Sequence, residues 1–414
     1  MSKSPHARFV LPLWTNIRAF AGFDQPATPM LWTRWLYLRA LGLLFIVIFG
    51  CTLKEQAALA GSQGLMPAAD YLAQIAQESG SAWSAFLRAP TLFWLDCSDA
   101  TMLVVGWLGV IAGVALTLNL WPRLALFSCW VFLLSFVSTW QAFSGAQLDG
   151  LMLEVTLLTI PFAPRGIRPG LGSAPWPVAL FMMRWLVFRV MFESGLVKVL
   201  VGDPTWREFT AMEHMYETAP FPTLFGFFDH NMPQAYHVFE ILLTYVAELA
   251  APVLAFIAGR KGRWTAFFSW TLFQAGIQLT NNFGWLNTAS IGLGLLLLDD
   301  PMLKQLTGWL RLDRFLPFPL SSTPSLPVSL FRRVLRRTAL VFLWVHFFFA
   351  CFYLAKTLRV KVYDLNPHLT ALVNAITPFQ SVHEYYLYAR VKTDRMQVEF
   401  IGSNDDGKTW RTYP

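Results

Sequence analysis

The sequence predicts an all-α protein that crosses a membrane about nine times and ends in a small β segment. Of its 414 residues, 55% are hydrophobic and only 14% are charged, whereas a soluble domain carries about 25% charged residues. The mean hydropathy is +0.45, and several apolar segments approach the roughly 20 residues that a helix needs to cross the hydrocarbon. From about residue 381 onward, polar and apolar residues alternate with the period of a strand.

The elements follow in a regular order. A polar, basic arm over residues 1–33 precedes a helical membrane domain over residues 34–357, and a β-rich segment over residues 358–414 closes the chain. Two long polar loops, 54–98 and 203–232, interrupt the membrane domain, and short surface helices are expected in the first of them. The predicted spans cover about residues 35–53, 100–120, 124–143, 151–161, 178–200, 235–257, 264–279, 285–298 and 338–357.

The basic residues predict the orientation of these spans. Lys and Arg concentrate in the N-terminal arm and in every second loop, whereas the intervening loops are acidic or neutral. Because Lys and Arg hold loops on the cytoplasmic side, the arm is expected in the cytoplasm. Loops 54–98 and 203–232 and the C-terminal segment are then exported, into the bacterial periplasm or the lumen of the endoplasmic reticulum. This assignment accounts for the net charge of +7 without nucleic-acid binding.

The segment 184–222 concentrates the unusual chemistry. Its apolar first half carries Arg184, Arg189, Glu193 and Lys198, although ionisable side chains are costly at membrane depth. Arg189 and Glu193 are four residues apart and share a helix face, so they either form a packing ion pair or line a polar cavity. Lys198 either extends to the interface or, if it is buried, serves as a base or nucleophile.

Polar residues near the exported side are candidates for contacts with a client or ligand. Asp149 and Glu154 could also neutralise the charges of the fifth span. The Glu and His residues after position 212 lack a further clustered His or Cys, so neither a metal site nor a cofactor is expected. The four cysteines lie far apart and indicate no disulfide framework. The candidates are Asp149, Glu154, Asp203, Trp206, Arg207, His214, Tyr216, Glu217, Asn281 and Asn282.

Near the C-terminus, SNDDGKTW has the spacing of an Asp-box. In such a turn, the side chains of Ser403 and Asp405 bind local backbone amides, Gly407 takes a positive φ, and Trp410 follows. A single Asp-box is typical of a folding element, so we interpret it as structural.

Six motifs are distributed along the chain: GLMPA (64–68), LDGLMLE (148–154), RVMFESGLVKVLVGDPTW (189–206), HMYETAPFPT (214–223), NNFGWLN (281–287) and IGSNDDGKTWRTY (401–413). They resemble the lipase maturation factor family, over about residues 30–414 and in the family's order. This resemblance implies a membrane protein of the secretory pathway, resident in the endoplasmic reticulum in animals, that helps secreted lipases to fold and assemble into active dimers. Bacterial relatives also occur. The expected partners are therefore lipase clients and membrane lipids.

A second, shorter resemblance is confined to the fifth span. ESGLVKVL, followed by Asp203 and Trp206, is similar to the lysine-bearing helix of the vitamin K-dependent carboxylase and its bacterial relatives. It implies an alternative function, an intramembrane enzyme in which Lys198, with Arg189 and Glu193, acts as a base on a lipid-like substrate. The chain has no GxSxG nucleophile elbow, so it does not resemble a lipase itself.

Overall fold

The computed structural model describes residues 5–22, 30–145, 147–219, 221–281, 283–312, 330–358, 367–396 and 398–413. Helices dominate this part of the chain, and one two-stranded sheet follows them. The helices are α1 Pro5–Phe20, α2 Leu31–Leu59, α3 Ala68–Glu78, α4 Ala82–Arg88, α5 Asp99–Thr117, α6 Pro122–Val137, α7 Gln147–Phe162, α8 Pro177–Leu200, α9 Pro204–Arg207, α10 Ala211–Thr218, α11 Leu224–His230, α12 Gln234–Tyr245, α13 Ala251–Ile257, α14 Gly259–Thr280, α15 Leu286–Gly294, α16 Asp300–Trp309, α17 Leu330–Thr357 and α18 Pro367–Ile376. A π-helical turn, Val246–Ala250, joins α12 to α13.

A helix occupies each of the nine segments that the sequence predicts to cross the membrane. Among the described residues, four stretches are both long and apolar enough to do so by length and composition: Leu31–Leu59, Asp99–Thr117, Gln234–Ile257 and Arg333–Thr357. Helices α6, α7 and α15 are shorter, and α8 carries four ionisable side chains. The structure therefore shows a helical membrane protein, and the count of nine crossings stays a prediction.

The helices α2 and α5 approach each other closely because glycines line their contact. A Cβ atom at Gly109 would lie 2.5 Å from the ring of Phe49, and one at Gly42 would lie 2.4 Å from Thr117 Oγ1. Small residues of this kind let helix backbones pack against each other within a membrane, where no hydrophobic force drives helix association. In the rest of the bundle, α5 packs against α6 and α2 packs against α15.

Two aspartates organise the end of the bundle at which α16 begins. Asp300 accepts hydrogen bonds from the backbone N–H groups of Leu31 (2.7 Å) and Thr33 (3.0 Å), which satisfies free donors in the first turn of α2. Asp299 forms an ion pair with Arg263 at 2.8 Å. The basic start of α14 is thus tied to the N-terminus of α16.

The C-terminal segment corrects one prediction. No strand lies among residues 381–391, although their sequence alternates as a strand does. We call these residues the strap, since they run in irregular conformation against the bundle. The sheet is confined to β1 Ile401–Gly402 and β2 Arg411–Thr412, which pair antiparallel with Ile401 opposite Thr412.

The turn between β1 and β2 has the hydrogen bonds of an Asp-box. Asp405 accepts from the backbone N–H and hydroxyl of Thr409, both at 2.7 Å, and Ser403 Oγ donates to Asp405 at 2.8 Å. The bonds from Thr409 and Ser403 lower the pKa of Asp405 to about 2. Gly407 has a φ of +85° and its N–H donates to Ser403, while the Trp410 ring is exposed.

Candidate functional site

Helix α8 is the centre of the site because it buries four ionisable side chains. Arg184, Arg189, Glu193 and Lys198 are each no more than 2% exposed. Helix geometry places Arg189 and Glu193 on one face, one turn apart. A buried charge requires a partner and hydrogen bonds, so the partners of these four residues define what the site can do.

Arg184 is structural. Its guanidinium donates to the carbonyls of Ala19 (3.2 Å) and Phe20 (2.7 Å) at the end of α1, and to the carbonyl of Leu296 (3.0 Å). The last carbonyls of a helix lack intrahelical partners, and a cation is favourable there. Arg184 therefore joins the end of α1 to the turn that follows α15.

Arg189 forms the centre of a buried charge cluster. Its Nε donates to Glu193 at 2.9 Å and its Nη1 donates to Glu154 of α7 at 2.8 Å. All three side chains have no exposed area. His346 of α17 adds a ring nitrogen 3.1 Å from Glu154. Two carboxylates thus share one guanidinium, and three helices meet at it.

The strap completes this cluster with its backbone. The N–H groups of His383 and Tyr385 donate to Glu154 (2.9 Å) and Glu193 (3.1 Å), respectively. The Tyr385 hydroxyl donates to Glu154 at 2.8 Å, and Arg189 donates to the His383 carbonyl. These bonds explain why the predicted strand is wrong: the backbone groups that a neighbouring strand would pair are bound by charged side chains of the bundle.

Lys198 belongs to a second cluster, one turn nearer the end of α8. Its Nζ donates to Glu248 at 2.7 Å, to the Ser194 carbonyl at 3.0 Å and to the Leu387 carbonyl at 3.0 Å. It also lies 5.3 Å from the ring centroid of Trp206. An ammonium has three protons to donate, and all three are used. Lys198 is therefore buried within the protein, with its ammonium fully paired.

Glu248 lies on the π-helical turn, in which the Ala251 N–H donates to the carbonyl of Val246, five residues earlier. Such turns are frequent at functional sites. Glu248 is not among the residues predicted from the sequence, although one carboxylate within an otherwise apolar span is a recognisable signal. His346, His383 and Tyr385 were missed as well. No local pattern marks them, because their partners lie far away in sequence.

The GDPTW motif anchors the far end of the strap. Asp203 accepts from the Thr205 backbone N–H at 2.8 Å and from the Val391 N–H at 3.1 Å. Burial alone would raise the pKa of Asp203, but the hydrogen bonds from Thr205 and Val391 lower it. Trp206 is buried and its indole N–H donates to the Tyr388 carbonyl at 2.9 Å. The motif thus positions α9 and the strap together.

The remaining candidates of the 203–232 loop do not lie together and differ in burial. Tyr216 is buried and donates to Glu240 of α12 at 2.7 Å. Arg207 and Glu217 are exposed, and His214 is half-buried. Among the described residues, no group of three or more His, Cys, Asp or Glu side chains is arranged to hold a metal ion.

Two further candidates lie at different places. Asn281 is buried at the end of α14, and its backbone pairs with that of Pro222. Asp149 lines a separate cavity of about 370 Å³ together with His383 of the strap. Asn282 lies outside the described residues. The structure therefore brings Glu154, Arg189 and Glu193 into one cluster, and it places Lys198, Trp206, Tyr216 and Asn281 around a second cavity. Asp149, Arg207 and Glu217 belong to neither.

The long apolar helices and the charges neutralised inside the bundle define an integral membrane protein of the helical type. Residues 32–305 match the transmembrane domain of the lipase maturation factor family, which is more than half of the chain. The chain therefore belongs to the lipase maturation factor family, and the resemblance found in its motifs is confirmed.

Individual relatives agree with this assignment. Lipase maturation factor 2 of Gallus gallus is 33% identical over 64% of this chain and 38% of its own length. Lipase maturation factor 1 of Mus musculus is 31% identical over 68% of this chain and 50% of its own length. The human lipase maturation factor 1 is 29% identical over 90% of this chain. The chain spans about half the length of the first two relatives or less. No solved structure matches it.

Proposed function

We propose that this protein assists the folding or assembly of exported proteins, with secreted lipases as its clients. Membership of the lipase maturation factor family is the observation that carries this proposal. A protein of this kind works by binding apolar surface that a client has not yet buried, so it requires exposed apolar side chains rather than a catalytic group.

An aromatic surface after the GDPTW motif fits that requirement. We define the aromatic ridge as Phe221, Leu224, Phe225, Phe227 and Phe228, each between 55% and 68% exposed. Contiguous exposed apolar side chains mark sites of protein or membrane interaction. Helix α11 carries four of the five residues and begins with Thr223 as its cap, whose hydroxyl accepts from the Gly226 N–H at 2.9 Å. The ridge is therefore presented on an ordered element.

The enzyme alternative receives less support. A base at Lys198 needs a free lone pair and a substrate within reach, yet its Nζ donates to Glu248, Ser194 and Leu387. Lys198 does reach a cavity, but among the described residues Arg189 and Glu193 do not line it. The three residues therefore do not converge on one pocket as that mechanism requires.

A client assay tests the leading proposal. A secreted lipase is co-expressed with this protein or without it, and the lipase activity per amount of secreted lipase is measured. We expect the specific activity to rise with the wild-type protein, and to fall back towards the level without it when Phe225 and Phe228 are replaced by Ser, because the ridge then no longer binds apolar client surface.

Phe400→Ser is the matched control, since Phe400 is 73% exposed but lies outside the ridge. It should leave lipase activity at the wild-type level. If the wild-type protein never changes the specific activity of any secreted lipase, the client assignment is wrong. If the ridge variant matches the wild type, the client surface lies elsewhere.

We also propose an orientation in which the arm 1–33 is cytoplasmic, while loops 54–98 and 203–232 and segment 358–414 are exported. The alternation of basic loops supports it. The test uses Lys304→Cys and Lys408→Cys, two exposed positions, in a background with Cys51 and Cys97 replaced by Ser. In sealed vesicles with the exported face outward, we expect a membrane-impermeant maleimide to label only Lys408→Cys. Labelling of Lys304→Cys before permeabilisation would contradict the orientation.

A further inference from the structure

A cavity of about 350 Å³ lies beside Lys198, between α10, α12 and α14, and the strap residues Leu387 and Tyr388 form part of its wall. This volume is within the range of about 300–1,000 Å³ of pockets that bind small molecules. The cavity is distinct from the Arg189 cluster, and neither the family assignment nor the client role gives it an occupant.

The rim of the cavity is apolar and faces outward from the bundle. Phe239 and Leu243 of α12 and Leu272 of α14 line it, and they are 54%, 47% and 70% exposed. Side chains of this kind on the outer face of membrane helices contact lipid tails. The cavity is therefore accessible from the hydrocarbon, through the gap between α12 and α14.

The inner wall of the cavity is polar and rich in hydrogen-bond acceptors. Glu240 lines it and accepts from Tyr216 at 2.7 Å. Asn281 also lines it, is only 2% exposed, and its Oδ1 has no hydrogen-bond partner among the described residues. An unpaired acceptor buried in this way costs free energy. A ligand that donates a hydrogen bond would remove that cost.

The charges of the wall select against an anion. Lys198 is already paired with Glu248 at 2.7 Å, while Glu240 and Asp229 add negative charge to the lining. A fatty-acid carboxylate or a phosphate would therefore meet like charges in a medium of low dielectric constant. An uncharged head group with hydroxyl donors meets the available acceptors instead.

We propose that this cavity binds a single-chain, uncharged lipid with a hydroxyl-bearing head group, of the monoacylglycerol type, which enters from the bilayer between α12 and α14. Its hydroxyls would donate to the acceptors of the inner wall, and its chain would contact the apolar rim. This inference does not depend on the client role, because it concerns a binding site inside the membrane domain.

The test uses a photoactivatable monoacylglycerol that carries a diazirine and an alkyne, added to the full-length protein in lipid nanodiscs. Leu243→Trp places an indole in the rim, and Leu242→Trp is the matched control, because Leu242 is 48% exposed on the same helix but does not line the cavity. Because an indole is larger than the leucine side chain, it would occupy space that the lipid chain needs. We therefore expect Leu243→Trp to lower photolabelling on the order of tenfold. Leu242→Trp should label as the wild type does.

The head group is tested with two further probes of the same chain length, the free fatty acid and its methyl ester. The wild type should label best with the monoacylglycerol, and Asn281→Leu should remove its advantage over the methyl ester, with a thermal melt to verify that the variant is folded. Equal loss of labelling in the two Trp variants would overturn the site. Preferred labelling by the free fatty acid would overturn the head-group assignment. Neither photolabelling experiment measures lipase maturation, so failure of this proposal and failure of the client role can be told apart.

Discussion

Replacing Arg189 by Leu is expected to prevent accumulation of the folded protein. The change leaves the carboxylates of Glu154 and Glu193, both without exposed area, inside the bundle without the guanidinium that they share. Breaking a buried ion pair on one side costs about 3–5 kcal/mol, and proteins of ordinary stability have only about 5–15 kcal/mol in total. The measurement is the yield of monodisperse protein after detergent extraction, together with its midpoint of thermal unfolding.

The chain provides a matched control for this variant. Arg88 also pairs with a glutamate, Glu78, at 2.9 Å, but both side chains are about half exposed. Exposed pairs contribute little because water and salt screen them, so Arg88→Leu should leave the yield and the unfolding midpoint unchanged. Replacing Glu154 and Glu193 by Gln alongside Arg189→Leu should recover part of the yield. Equal yields for Arg189→Leu and Arg88→Leu would show that the buried cluster does not hold the helices together.

The second large effect is expected from the pair of Lys198 and Glu248. Lys198→Met or Glu248→Met alone leaves one buried charge unpaired, and each is expected to destabilise the protein by about 3–5 kcal/mol. The double variant leaves no charge behind, so its loss should be clearly smaller than the sum of the two single losses. Thermal unfolding of the four proteins in the same detergent measures this difference.

If the double variant loses as much stability as the two single variants together, Lys198 and Glu248 are not paired. Lys356→Met is the control, because Lys356 contacts Glu384 near the surface and is 41% exposed. We expect it to unfold as the wild type does. If Lys198 were exposed as Lys356 is, Lys198→Met would unfold at the same temperature as Lys356→Met. The comparison therefore also tests the burial of Lys198.

The helices could be predicted from the sequence, and so could the contacts among the three charged side chains Arg189, Glu193 and Glu154. The spacing of Arg189 and Glu193 fixes their contact once the segment is helical, and the short span that carries Glu154 made it a reasonable partner. The Asp-box spacing predicted the turn around Asp405 equally well, because its hydrogen bonds are local. The Arg189–Glu193 contact lies within one helix, and the hydrogen bonds of Asp405 lie within one turn.

The strap could not be predicted, for a reason visible in its own residues. Tyr385 is buried and Tyr386 is exposed, but the two buried side chains of the strap, Val382 and Tyr385, are three residues apart. The burial therefore does not follow the period of two that the sequence shows. A period of two detects an extended backbone with two faces, but it carries no information about what pairs with the backbone. The partners Glu154 and Glu193 lie 229 and 192 residues earlier in the chain, and no local pattern connects them.

The position of the strap in the chain has a consequence for biosynthesis. The ribosome delivers α8, with its charges, almost two hundred residues before it delivers Tyr385. Until then, the carboxylates of the Arg189 cluster lack the N–H groups of His383 and Tyr385, and Lys198 lacks the carbonyl of Leu387. A nascent chain that stalls before this point inserts its helices but leaves polar groups unsatisfied in the interior. Completion of the bundle therefore requires that translation has passed the strap, and a chain that ends before it keeps these polar groups without their partners.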